Sequence, residues 1–397
     1  MAAGAAPARL LVVGCGPAGL AAIRDLYQRF EITVVEPRDY FEYTPGVLRT
    51  LGDPDHLAQV QAPLDQALEG MNVELIKGRV TQMEEQYAVV THIADGEHTL
   101  RVDFDYALIT AGSVYHKNSW WKVSGRPGEE AQTTVTGRHD ALGQLRHQLR
   151  GLERLGGAVV VVGAGLTGVE LAGELAHYMP RLKVVVCSSC STVLPGMPAR
   201  AQKYAENWLT ANGVEVKFAS RPTKKDLVSL GLPSDALMLD CTGVRIHCEF
   251  AKGLGCLDLT GQVRVDSSMR VLSAEGPYEH IFAAGDCVSF SSQTGPLPKE
   301  IGPAEACAEV AVANLLRAVS PDQEPVRELQ ATSRLVLCSL GPQDGVVMMN
   351  GYTVLRGWAA AKMKAWMEGT RMAQLRGEES SLVAKLWSAL PQLQRLA

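Results

Sequence analysis

Apolar and polar positions divide the chain into short strand-like runs, helical stretches and polar connections. Near the start, the run Leu10 to Val13 is followed by a helical pattern, Leu20 to Tyr27, and a second strand-like run, Ile32 to Val35. The same order returns at Ala158 to Val162, Val169 to His177 and Lys183 to Cys187. From Ala158 to Ala176 the chain is mostly apolar, but four glycines, Glu170 and Glu174 interrupt it. That predicts strand, turn and helix rather than a membrane span. Later, Ala304 to Leu316 reads as a helix rich in alanine, Arg334 to Met349 as strands, and Val354 to Arg376 as a basic amphipathic helix. In Ser380 to Ala397, apolar residues recur at near-helical spacing, interrupted by Pro391.

Both repeats carry glycines where strand meets helix. The first reads Gly14-Cys15-Gly16-Pro17-Ala18-Gly19 and the second Gly163-Ala164-Gly165-Leu166-Thr167-Gly168. A G-x-G-x-x-G in that position forms a tight turn, brings the backbone close to a pyrophosphate and lets helix and strand pack closely. The phosphates then face the helix N-terminus. Glu36 ends the first unit's second strand, where a carboxylate accepts hydrogen bonds from ribose hydroxyls. The second unit offers Ser188 and Ser189 there, which leaves NADH and NADPH both open as donors. Two units predict two dinucleotides and an α/β fold: two Rossmann-like domains followed by a C-terminal α+β segment.

Composition narrows this reading. A net charge of −5 without a basic cluster near the start gives no footprint for nucleic acid. Met1 to Arg9 is short and rich in alanine, which predicts neither signal nor transit peptide. Nine scattered cysteines suggest reduced thiols in an intracellular, reducing compartment, and Cys187-x-x-Cys190 lacks a second pair to complete a zinc site. Trp358, Met363, Trp366 and Met367 lie among the basic residues Arg356, Lys362, Lys364, Arg371 and Arg376. This pattern suits peripheral membrane contact, or equally packing on its own domain or in a homodimer.

Three further motifs complete the set: Asp105-Tyr106-Ala107-Leu108-Ile109-Thr110-Ala111-Gly112-Ser113, Leu239-Asp240-Cys241-Thr242-Gly243 and His280-Ile281-Phe282-Ala283-Ala284-Gly285-Asp286. With the two glycine fingerprints, the chain resembles the two-dinucleotide flavoprotein reductases. More narrowly, it resembles the apoptosis-inducing-factor-like branch that includes the ferroptosis suppressor protein, and the related type II NADH dehydrogenases. The likeness extends to Ser339-Leu340-Gly341-Pro342-Gln343-Asp344-Gly345.

The resemblance implies an FAD domain over 1–115 and 250–325, an NAD(P)H domain over 116–249 and a C-terminal domain over 326–397. Gly14, Gly16, Pro17, Ala18, Gly19 and Glu36 would then contact FAD, with Arg49 on its phosphates, Val80 on its adenine, and Ala111, Gly112, Gly285 and Asp286 along the flavin arm. Gly163, Gly165, Leu166, Thr167, Gly168, Ser188 and Gly243 would contact NADH or NADPH. Glu170 would lie near the nicotinamide, Lys299 near the flavin, and either Lys362 or Lys364 at the flavin edge.

The stretch from Pro37 to Pro45 has no cysteine, so a dithiol relay is disfavoured and direct transfer from flavin to an acceptor is expected. A quinone at a membrane surface is the first expectation. Type II dehydrogenases often carry glutamines on the helix that here reads Ala304-Glu305-Ala306-Cys307-Ala308-Glu309, which leaves open a redox-protein reductase or a non-catalytic flavoprotein subunit.

Overall fold

The computed structural model describes residues 6–93, 98–115, 130–292, 295–320, 325–330 and 334–378. The expected helix within Ser380 to Ala397 therefore lies outside the described residues.

The first repeat forms β1 (Ala8–Val13), α1 (Pro17–Leu26) and β2 (Phe30–Glu36), with β1 and β2 parallel. The helix begins at Pro17 rather than Leu20, because proline at the first helical position presets φ and has no N–H to satisfy. A short antiparallel pair follows, β3 (Tyr40–Glu42) with β4 (Gln61–Pro63). Next come β5 (Val73–Met83), β6 (Tyr87–His92), β7 (Thr99–Asp103) and β8 (Tyr106–Ile109).

The long helix α2 (Val135–Leu155) leads into the second repeat, β9 (Ala158–Val162), α3 (Leu166–Tyr178) and β10 (Lys183–Cys187). This unit continues with α4 (Ala199–Ala211), β11 (Glu215–Lys217) and β12 (Leu237–Asp240), in the sheet order β11-β10-β9-β12. The chain then returns to the first sheet through β13 (Arg270–Leu272) and β14 (Pro277–Ala283), giving β13-β14-β8-β1-β2-β5-β6-β7. Each central strand is parallel to its neighbours and almost wholly apolar, as burial on both faces requires.

Helix α5 (Ile301–Val319) packs on α1, and the C-terminal part forms a three-stranded antiparallel sheet, β15 (Leu335–Ser339), β16 (Gly345–Met349) and β17 (Tyr352–Arg356), followed by α6 (Trp358–Leu375). Val354 to Arg356 is therefore strand, not helix as the sequence pattern suggested. Asn350 and Gly351 both adopt positive φ, 49° and 82°, the two-residue turn that joins antiparallel strands, and Gly357 at φ 76° starts the helix afresh.

Candidate active site

In the first unit Gly14 turns the chain at φ 100°, and a Cβ there would stand 2.6 Å from the Thr110 carbonyl oxygen. Thr110 Oγ1 donates to the Val13 and Gly14 carbonyls at 3.1 and 2.8 Å, riveting β8 to the turn. In front of Gly16 nothing lies within 4 Å, and no side chain caps α1, so its first N–H groups face an open space. Pro17 and Ala18 open the helix, and Gly19 lies against the Gly14 carbonyl where no Cβ fits.

Glu36 is buried at the edge of that space. It accepts hydrogen bonds from Cys15 N at 2.8 Å and from Arg38 Nε and N at 2.7 and 3.2 Å. Burial opposes its ionisation, but the Arg38 guanidinium and the two backbone N–H groups outweigh it and hold the carboxyl below the usual carboxylate range.

Opposite, Gly285 (φ 86°) packs between Ala18 and Ala304, which brings the starts of α1 and α5 to one point. Ser113 Oγ donates to Asp286 Oδ2 at 2.6 Å, just beyond Ala111 and Gly112. Lys299 Nζ donates to the Asp286 and Val288 carbonyls at 2.6 and 3.0 Å and to Gln262 Oε1 at 2.5 Å. Burial lowers the Lys299 pKa, with Asp286 opposing. Lys299 thus staples the loop that carries Asp286.

The second unit repeats the geometry. Gly163 adopts φ 105°, its Cβ position 2.6 Å from the Cys241 carbonyl oxygen, and nothing lies within 4 Å in front of Gly165. Leu166, Thr167 and Gly168 form the uncapped first turn of α3. Gly243 (φ 108°), just after β12, also faces open space. Gly163 N donates to the Cys187 carbonyl as Gly14 N does to Val35, so Ser188 stands where Glu36 stands. Its hydroxyl is turned into its own loop, donating to the Thr192 carbonyl at 3.0 Å and accepting from Cys190 N at 3.1 Å.

Helix α6 turns a charged face inward. Lys364 donates to Glu170 Oε1 and, at 3.0 Å, to Ser339 Oγ; Ser339 N donates to the same carboxylate at 2.9 Å. Burial works against the ammonium, yet Glu170 overrides it and raises the Lys364 pKa. One turn on, Glu368 Oε1 lies 3.1 Å from His56 Nε2, and a further turn on, Arg371 pairs with Glu305. The i, i+4, i+7 spacing places all three on one helix face. Burial lifts Glu305 to about 7 despite Arg371. A cavity of about 10 Å³, room for one water, lies among Arg49, Glu174, Ser339, Lys364 and Glu368.

Three of the expected site residues have partners within the chain itself. Lys364, not Lys362, reaches Glu170; Lys362 is exposed, its ammonium 5.8 Å from the Trp358 ring centroid. Arg49, expected on a flavin phosphate, donates to Glu174 Oε1 at 3.2 Å, the buried carboxylate that α3 presents to it. The Val80 side chain is buried in the core, and its backbone pairs with Val90 beside a register shift in β5.

A family model described as pyridine nucleotide-disulphide oxidoreductase matches residues 8–309. The chain belongs to this family. It is 23% identical over 388 residues to the apoptosis-inducing factor homolog B of Dictyostelium discoideum, covering 90% of this chain and 93% of that one. It is 22% identical over 391 residues to the type II NADH:quinone oxidoreductase of Staphylococcus aureus strain NCTC 8325, with 90% and 93% covered. In fold it is similar to NDH2 of Plasmodium falciparum, solved in complex with NADH, at a TM-score of 0.72 and 13% identity over 94% of this chain and 97% of that one.

FAD with NADH or NADPH is the cofactor pair of this pyridine nucleotide-disulphide oxidoreductase, and the chain is an NAD(P)H-dependent oxidoreductase. The residues fit the pair: two uncapped helix starts each face a space that a Cβ at Gly16 or Gly165 would enter. Despite the family's name, all nine cysteines are free thiols.

Arg38, Thr110, Ser113 and Ser339 went unnoticed as site residues in the sequence. Thr110 and Ser113 lie inside the Asp105–Ser113 motif, and Ser339 opens the Ser339–Gly345 motif. For Arg38 the signal was its position two residues after Glu36, the acid that ends β2.

Proposed function

We propose that this chain passes electrons from NADH or NADPH through FAD to a quinone at a membrane surface. FAD, when bound, supplies the two-electron carrier between nicotinamide and acceptor. The observation that carries the reading is the buried Lys364–Glu170–Ser339 network, which ties the helix of the second cradle to the C-terminal helix. Quinone reduction takes up two protons, and a buried ammonium–carboxylate pair holds a proton where the donor's cradle meets that helix. The similarity to the Staphylococcus aureus quinone oxidoreductase supports the acceptor, and the missing cysteines between Pro37 and Pro45 support transfer without a thiol relay.

The outward face of α6 supports the membrane. Trp358 and Trp366, 66% and 42% exposed, flank Lys362 at i, i+4 spacing, beside exposed Tyr352, Val354 and Leu355. Aromatic residues with a snorkelling lysine suit the headgroup region. Among the described residues no helix is long and apolar enough to cross a membrane. Arg200 and Arg356 add positive charge around a nearby cleft of about 350 Å³.

Turnover assays with short-chain quinones, ferredoxin and rubredoxin test the acceptor. The proposal expects fast NADH oxidation with quinone. Rapid turnover with a redox protein and none with quinone would replace it with a redox-protein reductase. Co-sedimentation with lipid vesicles tests the membrane contact, and a stable dimer that leaves vesicles unbound would assign the α6 face to a second copy.

A further inference from the structure

The segment 39–60 runs between two cores. Phe41 belongs to the core of the first sheet, whereas Val47, Leu48, Leu51, Leu57 and Val60 belong to the core of the second unit and the C-terminal strands. In that position the segment is a strap joining the two cradles. Its grip on α2 is polar and buried. Arg138, on the first turn of α2, is 0% exposed and donates from Nε and Nη2 to the two oxygens of Glu42 at 2.9 and 3.0 Å. Gln61 Nε2 donates to Glu42 Oε2 at 3.0 Å. Around this pair, Asp39 N donates to the Thr133 carbonyl at 2.9 Å, Val135 N to Asp39 Oδ1 at 3.0 Å, and the Tyr40 hydroxyl to the Gln132 carbonyl at 3.0 Å.

Both ends of the clamp lead to a cradle. Asp39 follows Arg38, which holds the ribose acid Glu36 of the first cradle. Helix α2 carries Leu142 and Leu149 into the second core and ends at Gly156, two residues before β9 and the second glycine turn. A second ion pair, Arg49 with Glu174, ties the same strap to α3.

A fully buried ion pair is a poor way to gain stability, since an apolar pair of similar volume often does as well or better. What two parallel N–H···O bonds add is a fixed distance and angle. Stability alone therefore does not account for an arginine buried at the joint between cradles.

We infer that Glu42 and Arg138 are positioning residues for hydride transfer: their bidentate pair sets the second cradle relative to the first, so that the nicotinamide lies over the flavin within reacting distance. The inference rests on the donor and flavin reading above. Neither residue touches the reacting atoms. They act through the strap and α2, and small misplacements at a reacting centre have large effects on rate.

The test is the paired variant E42L/R138M, which removes both charges and keeps the space filled, compared with the parent holoenzyme. FAD content, melting temperature and the NADH dissociation constant are expected to stay close to the parent's. The single-turnover rate of flavin bleaching by NADH is expected to fall about tenfold or more, and the long-wavelength nicotinamide–flavin charge-transfer absorbance to weaken. A rate and a charge-transfer band matching the parent's in a folded, FAD-loaded variant would overturn the inference. Should the apolar pair fail to fold, E42D keeps the charge and shortens the arm by one methylene. A slower bleaching rate at unchanged nucleotide affinity is expected there, and an unchanged rate overturns the proposal. If NADH and NADPH both fail to bleach the parent, the donor reading fails instead.

Discussion

The two dinucleotide cradles are built alike and finished differently. In each, a glycine at positive φ turns the chain out of a central strand and hydrogen-bonds to the neighbouring strand, and a second glycine leaves a space in front of an uncapped helix. The difference lies one residue past that neighbouring strand's hydrogen bond. The first cradle places Glu36 there, with Arg38 and Cys15 N holding its carboxylate ionised; the second places Ser188, whose hydroxyl is taken up by its own loop. In the proposed reading, shared fold and glycine spacing provide for a pyrophosphate, while Glu36 and Ser188 give the two riboses different neighbours. A carboxylate repels a 2′-phosphate and an engaged serine does not, so Ser188 leaves both NADH and NADPH open as donors.

Filling the cradles is expected to break the comparison most strongly. Gly16→Val and Gly165→Val each place a side chain in space that is open in the folded chain, so the apoprotein stays folded. The first is expected to lose FAD, read from the absorbance of the purified protein. The second is expected to weaken NADH by roughly a hundredfold in calorimetric titration while keeping FAD. Loss of both cofactors from both variants would show that the cradles are not independent.

The joint between the cradles comes next. Lys364→Met leaves Glu170 buried without its cation and is expected to destabilise the protein by about 3–5 kcal/mol in urea titration, with most of this recovered in K364M/E170L. A single variant as stable as the parent would mean that the pair is solvated.

A smaller effect sharpens the ribose difference. Ser188→Asp is expected to raise the NADH over NADPH ratio of kcat/KM by about tenfold, or ~1.4 kcal/mol. An unchanged ratio would place donor selection elsewhere.

A pH slope tests the charged face of α6 separately. Glu305 binds its proton more tightly folded, at about 7, than at the ordinary carboxyl value of 4.5. Its contribution to stability is therefore present in acid and lost as pH rises between those values. In Glu305→Gln, urea unfolding across this window should lose that part of the decline, and an identical slope would contradict the assignment.

Much of this was legible in the sequence because strand, glycine turn and helix are local signals. The fingerprints, Glu36 and the alternation of elements are all readable within short windows. The hairpin at Asn350-Gly351 was also local, but the basic residues after it suggested a helix and hid it. Long-range partners were not readable. Nothing near Arg138 in sequence announces Glu42, 96 residues away, and nothing near Lys364 announces Glu170, 194 residues away. Nor does anything near Arg49 announce Glu174, the carboxylate that α3 folds against it.

The most direct test of the central claim, that two cradles hold a nicotinamide against a flavin, is anaerobic rapid mixing of the FAD-loaded protein with NADH and, separately, with NADPH. Bleaching of the flavin by at least one of them within a single turnover is the predicted result, and it identifies the donor. A flavin that stays oxidised with both donors would contradict the account.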